Sequence, residues 1–354
     1  MERAIYRQLQ EKLDQYSMGF PATASGIELE ILEYLFNEED AGLFLSMSHT
    51  LQTPQQIAEI VNRSADQLAD QLDRMAEKGL LFRLKRPDGN KYATIPFVHG
   101  LFEFQVKNLD KRLVDLVTRY FDMAFDQAMQ QSADYFLRTI PVNESIALSQ
   151  NIAAFDDAVE ILKSKSKIVV TDCICRKRTQ VLGTTCEKTL EACFMFGSMG
   201  QYYLDRNIGR LVSTDEAIEI VRKCQEEGLV TQPATSQNPG GMCNCCGDCC
   251  GVLKALNKHP KPAEIVFSNY QAMVDESECS GCEDCLERCQ MDAISMTDDD
   301  VARVNADRCI GCGLCVTTCP TESMILQPKP SEYRMPPQNT TEQMILMAQK
   351  RGLI

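Results

Sequence analysis

The sequence predicts a multidomain α+β chain, and three observations predict it. Its 354 residues suffice for two or three domains. All 18 cysteines fall between Cys173 and Cys319, which separates a cysteine-free first half from a thiol-rich second half. The first half carries amphipathic helical periods and one hairpin signal, whereas the last cysteines are written as a repeat. These shifts in composition divide the chain at 1–100, 101–165, 166–262, 263–327 and 328–354.

The opening stretch MERAIYRQLQEKLDQ has an acidic amphipathic pattern and predicts a helix. The apolar run Ile27, Leu29, Ile31, Leu32, Leu35 and Phe36 predicts a second. Thr53-Pro54-Gln55-Gln56 starts a short helix with an N-cap threonine, proline in the first turn and glutamine three residues on. Asn62-Arg63 turns the chain, and Ser64-x-x-Gln67 is expected to cap a helix with Leu68, Leu72, Met75 and Ala76 inward. Gly79 ends that helix. Leu80–Leu84, the turn Pro87-Asp88-Gly89-Asn90 and Tyr92–Ile95 then read as a hairpin. Residues 26–96 resemble a winged helix-turn-helix. DNA-binding members of such folds place the last helix in the major groove. Here that helix carries Asp66, Asp70, Asp73 and Glu77 against Arg74 and Lys78, and the whole stretch holds twelve acidic and seven basic residues. Phosphate contacts need a basic face, so DNA is disfavoured as a partner; Arg83, Lys85, Arg86 and Lys91 on the wing are its best case. Residues 101–135 predict one long amphipathic helix, its stripe of Leu113, Leu116, Val117, Tyr120 and Phe121 serving as core or as a homodimer seam.

The middle region predicts a mixed α/β unit. Ala153–Leu162 reads as a helix, and Ile168–Thr171 as a buried strand whose end delivers Cys173-Ile174-Cys175-Arg176. Ser213-x-x-Glu216 caps a helix through Val221 and Cys224. Ten cysteines lie between 173 and 250, five of them in the run Cys243-x-Cys245-Cys246-x-x-Cys249-Cys250. Cys175, Cys186, Cys193, Cys243, Cys245, Cys246 and Cys249 are candidate ligands for a further iron–sulfur cluster or other metal. Side chains of adjacent residues diverge, so the pairs Cys245-Cys246 and Cys249-Cys250 are not expected to serve one metal together. Cys224, on a helical stripe, reads as a core thiol. Arg176, Lys177 and Arg178 supply positive charge beside the first pair, or form a solvated run.

The most specific signal is Cys279, Cys282, Cys285, Cys289 and then Cys309, Cys312, Cys315, Cys319 with Pro320: C-x2-C-x2-C-x3-C, written twice. Zinc sites more often pair two distant C-x2-C knuckles. The spacing is similar to that of bacterial two-cluster 4Fe-4S ferredoxins. The repeat extends to Ala272/Ala302, Val274/Val304, Gly281/Gly311 and Ile294/Met324. The resemblance covers about 270–327 and implies two halves related by a pseudo-twofold, two [4Fe-4S] clusters and single-electron transfer. It also implies crossed ligation: Cys279, Cys282, Cys285 and Cys319 on one cluster, Cys309, Cys312, Cys315 and Cys289 on the other. One departure stands out: Gln290 occupies the place of the first run's proline. The whole chain is similar in arrangement to cytoplasmic ferredoxin-domain proteins of anaerobes, and Cys245-Cys246-Gly247 resembles the CCG element of heterodisulfide-reductase-type subunits.

The net charge of −14 argues against general nucleic-acid binding and anionic membranes. No stretch approaches a membrane span or a secretory signal, so a reducing cytoplasm is expected. Three histidines leave little scope for histidine acid–base chemistry, and no nucleotide-binding glycine motif occurs. The expected function is an electron-transfer protein or oxidoreductase subunit working with a redox partner such as a flavoprotein. The alternatives are a redox-sensing DNA-binding regulator and an enzyme whose active site is the middle cysteines. The Pro-rich segment from Pro328 and a helical pattern around Met344 and Met347 form the tail.

Overall fold

A computed structural model describes residues 2–142, 153–330 and 333–354. The part of the expected connector at 143–152 lies outside these residues. The chain is a mixed helical and sheet structure. Strands are numbered β1 (Phe82–Leu84), β2 (Lys91–Ala93), β3 (Ile168–Asp172), β4 (Glu191–Phe196), β5 (Arg210–Val212), β6 (Val230–Pro233), β7 (Gly241–Cys245), β8 (Tyr270–Val274), β9 (Ile294–Met296), β10 (Ala302–Val304) and β11 (Met324–Pro328).

The N-terminal region holds the helices Glu2–Asp14, Ile27–Leu35, Glu38–Ser46, Pro54–Val61 and Ala65–Glu77, then the antiparallel pair β1–β2. Thr53 forms the full capping box with Gln56, and Asn62 turns the chain in the left-handed region. Ser64 is an N-cap by position, but its side chain makes no capping bond, so the expected box there is absent. The helix Glu38–Ser46 was not foreseen. Asn37 caps it, its side chain accepting from the Asp40 N–H at 2.7 Å. The single helix expected over 101–135 is corrected as well. After the irregular His99 and Gly100, residues 101–110 form only a 3-10 turn at Glu103–Gln105. A regular helix starts only at Lys111, capped by Asp110, and runs through a wider π turn at Phe121–Phe125 into Asp126–Phe136.

In the middle region one turn of 3-10 helix at Ala154–Asp156 and the helix Ala158–Lys163 replace the continuous helix expected at 153–162. Five strands follow in the order β5-β3-β4-β7-β6, every neighbour antiparallel. Ile168, Val170, Phe194, Phe196 and Met242 form one face of its core with Val221 of the helix Thr214–Glu226. Ser213 caps that helix as expected, accepting from the Glu216 N–H at 3.1 Å.

At the C-terminus, β8 pairs with β11 and β9 with β10. The first strand of one half thus lies on the last strand of the other, while the inner strands pair together, which is what a pseudo-twofold requires. The tail folds back on the body. Its helix Thr340–Lys350 packs on Asp126–Phe136 with Met347 fully buried. Arg351 donates to the Asp14 carbonyl at 2.7 Å. No helix among the described residues is long and apolar enough to cross a membrane.

Candidate metal centres

The C-terminal halves place their thiols by the same device. Gly281 and Gly311 sit inside the first C-x2-C of each run, at φ +69 and +70. A Cβ at Gly311 would lie 2.1 Å from the Tyr270 carbonyl, and one at Gly281 2.7 Å from that of Asp300. Only glycine lets the cysteine loop lie this close to the opposite half. The Ala272 N–H donates to Cys309 Sγ at 3.3 Å, and its repeat mate Ala302 donates to Cys279 Sγ at 3.5 Å. The fourth cysteines are held in the same way: Ala293 N–H on Cys289 Sγ at 3.3 Å, Ser323 Oγ beside Cys319 Sγ at 3.3 Å.

Cys279, Cys282, Cys285 and Cys319 line one small cavity. Burial, with the neighbouring Cys312, Cys309, Cys289 and Cys285 adding to it, holds the Cys315 thiol well above its ordinary pKa. The first of these groups combines three cysteines of one run with the fourth of the other. Soft thiolates with main-chain N–H groups aimed at the sulfur suit iron–sulfur ligation.

The middle cysteines divide into two sets. Cys186, Cys246 and Cys249 bring their sulfurs within 4.8 Å of one another. The hydrogen bond from Cys249 is the main reason that the Cys246 thiol is pushed down to about 6. The second set is a closed ring in which each thiol faces two others. Cys175 meets Cys173 and Cys250. Cys245 meets Cys250 and Cys243. Cys193 meets Cys243 and Cys173. The sheet explains half of the ring: Cys193 on β4 stands opposite Cys243 on β7, and Cys245 is two residues along the same face. Cys173 closes β3, Cys175 lies in the first turn of the helix Ile174–Val181, and Cys250 precedes the helix Gly251–Lys258.

The seven cysteines singled out by sequence are thus not gathered in one place. Cys175, Cys193, Cys243 and Cys245 join the ring; Cys186, Cys246 and Cys249 form the other set. Cys173 and Cys250 belong to the ring and were not among the seven. Divergent neighbours send Cys245 and Cys250 one way and Cys246 and Cys249 the other, but the sequence does not say what either side faces. Cys224 is fully buried in the apolar contacts around Ala192 and Leu229, in keeping with a core thiol.

The six ring thiols line a cavity of about 60 Å³ together with Cys246 and Cys249 of the other set and with His99, Glu103 and Tyr203. Burial pushes the Glu103 carboxyl up to about 7. Burial works against a charged His99, but its hydrogen bond with Cys243 and the Glu103 carboxyl turn the net shift upward.

The module and the middle region touch. Gln290, the residue in place of proline, accepts the Gly247 N–H on its side-chain Oε1 at 2.6 Å. Gly247 lies between Cys246 and Cys249, so the residue after Cys289 holds the loop of the three-thiol set. Arg288 adds bonds of 2.7 and 2.9 Å to the carbonyls of Glu226 and Gln225.

A family model described as a 4Fe-4S dicluster domain matches residues 272–326. No curated protein and no solved structure gives a significant match to the chain. Residues 272–326 are a 4Fe-4S ferredoxin-type domain.

Proposed function

We propose that this chain is an iron–sulfur electron-transfer protein, or the iron–sulfur subunit of an oxidoreductase, working in a reducing compartment such as the cytoplasm. Cys279, Cys282, Cys285 and Cys319 hold one [4Fe-4S] cluster; Cys289, Cys309, Cys312 and Cys315 hold the other. Bound there, the clusters supply one-electron chemistry. The protein's own part is to bury Cys285, Cys309 and Cys315, to aim the N–H groups of Ala272, Ala293 and Ala302 at the sulfurs, and to direct electrons from a redox partner toward the middle thiols. The observation that carries this reading is the contact between Gln290 and Gly247, which joins the second thiol quartet to the Cys186/Cys246/Cys249 set. That set is read as a further metal or thiol site.

The region 26–96 is read as a winged-helix-like unit used for docking or dimerisation. Arg83, one of the four wing cations, is 5% exposed and paired with Asp73 at 2.8 Å and Glu77 at 2.6 Å. Lys85 lies 3.8 Å from Asp205. Charges neutralised within the protein are lost to phosphate.

The test is anaerobic reconstitution of the full chain with iron and sulfide, followed by dithionite reduction and EPR. The expected result is reduced four-iron signals that disappear in Cys285→Ser and Cys315→Ser variants. A colourless, EPR-silent or zinc-loaded protein would end this reading. Cluster-dependent protection of DNA upstream of its own gene would replace it with a regulator.

A further inference from the structure

Six thiols around one cavity exceed what a single tetrahedral ion uses, since such an ion takes four ligands. The ring also has the wrong charge to be six plain thiols. Arg176 is fully buried and Arg178 nearly so. Arg176 donates to the carbonyls of Thr189 and Asn244, each at 3.0 Å, and Arg178 to that of Cys249 at 3.1 Å. Among the described residues no carboxylate pairs with either, and buried N–H groups remain without an acceptor on both: Nε of Arg176, Nε and one terminal nitrogen of Arg178. Arg176 lies beside Cys173, Cys245 and Cys193 of the ring and also beside Cys246 of the three-thiol set, and Arg178 lies beside Cys175. A buried cation without a counter-charge is strongly unfavourable. On the ring side, thiolates bound to metal supply counter-charge to both arginines in addition to Cys246, and neutral thiols do not.

We propose that Cys173, Cys175, Cys193, Cys243, Cys245 and Cys250 bind a polynuclear iron–sulfide centre of their own, separate from the ferredoxin-type domain and from the Cys186/Cys246/Cys249 set. The cavity of about 60 Å³ is several times what one water needs, and thiolate is the ligand type that iron–sulfide centres take. The divergence of Cys245 from Cys246, and of Cys250 from Cys249, gives each centre its own share of the run. The metal content of the ring stands by itself; only its place at the end of the electron path rests on the function proposed above.

The experiment uses the full chain, reconstituted anaerobically with iron and sulfide, and reads iron, sulfide and native mass. Three proteins are compared: the wild type, Cys193→Ser/Cys245→Ser in the ring, and Cys186→Ser/Cys246→Ser in the three-thiol set. The ring variant is expected to lose iron and inorganic sulfide that the second variant keeps, while its ferredoxin-type EPR signals remain. Wild-type iron and sulfide in the ring variant would overturn the proposal, as would a ring that takes zinc or copper without sulfide. If the ring variant does not fold, judged by circular dichroism before reconstitution, the native mass of the wild type decides. A mass excess no greater than two four-iron clusters and one metal ion overturns the ring centre, and a larger excess that persists in the second variant supports it. Missing ferredoxin signals with ring iron retained would instead sink the electron-transfer reading and leave the ring in place.

Discussion

Gly311 shows how much a single residue decides in the C-terminal repeat. Its φ of +70 costs an L-residue about 1–2 kcal/mol. The Cβ of an alanine would also meet the Tyr270 carbonyl at 2.1 Å, where backbone has to move. Gly311→Ala should therefore lower stability by more than about 2 kcal/mol and reduce bound iron, read by thermal melting and iron analysis of reconstituted protein. Gly240→Ala is the comparison: nothing lies within 4 Å of its Cβ, and its melting temperature should match the wild type. Equal melting of the two variants would contradict the close-approach account. The pairing of Gly281 with Gly311 and of Ala272 with Ala302 was legible in the sequence as a repeat. Its cause was not, because the N–H···S contacts run between halves, and sequence spacing does not report what faces across a pseudo-twofold. Cys173 and Cys250 were illegible for a related reason. Local sequence says that neighbours diverge but not which partner awaits each side.

At the level of elements, caps were read correctly where backbone and side chain agree. Thr53 and Gln56 satisfy each other's N–H groups, whereas Ser64 has the position and not the bond. Thr53→Ala should cost about 1 kcal/mol and Ser64→Ala only a few tenths, measured by urea unfolding. Equal losses would show that Ser64 caps in solution. The long helix expected at 101–135 fails at its start because the apolar Leu101, Phe102 and Phe104 fit the pattern although the backbone there makes only a 3-10 turn at Glu103–Gln105. Asp110 restarts it, accepting from the Leu113 N–H at 2.8 Å and the Tyr34 hydroxyl at 2.7 Å. Those hydrogen bonds hold the Asp110 carboxyl below its ordinary range. A lowered folded pKa adds stability that is present above the unfolded value and lost as pH falls through the folded one. The stability gap between wild type and Asp110→Ala should therefore be open at pH 7 and narrow as pH falls below about 4. A gap unchanged down to pH 2 would refute the carboxylate's role.

For the whole molecule, the issue is how the thiol-rich parts are fastened together. The ferredoxin-type domain has short strands and little apolar core, so bound metal should carry much of its folding energy. Removing the clusters should raise amide exchange across 270–327 while β3, β4 and β7 remain protected; uniform protection would contradict this. The link itself is Gln290. Cys289 before it is extended, φ −80 and ψ 109, a conformation that a following proline accepts. Gln290→Pro should therefore keep the fold and the eight C-terminal thiols in place while removing the acceptor of the Gly247 N–H. The lost hydrogen bond should cost about 1 kcal/mol. Its larger effect should be on the loop Cys245–Cys250, whose position beside the second quartet it fixes. Iron content and the ferredoxin signals should match the wild type, and electron exchange between the domain and the middle centres should slow, followed by freeze-quench EPR after rapid reduction. If exchange is as fast in Gln290→Pro as in the wild type, the contact is mere packing and the path leaves the domain elsewhere.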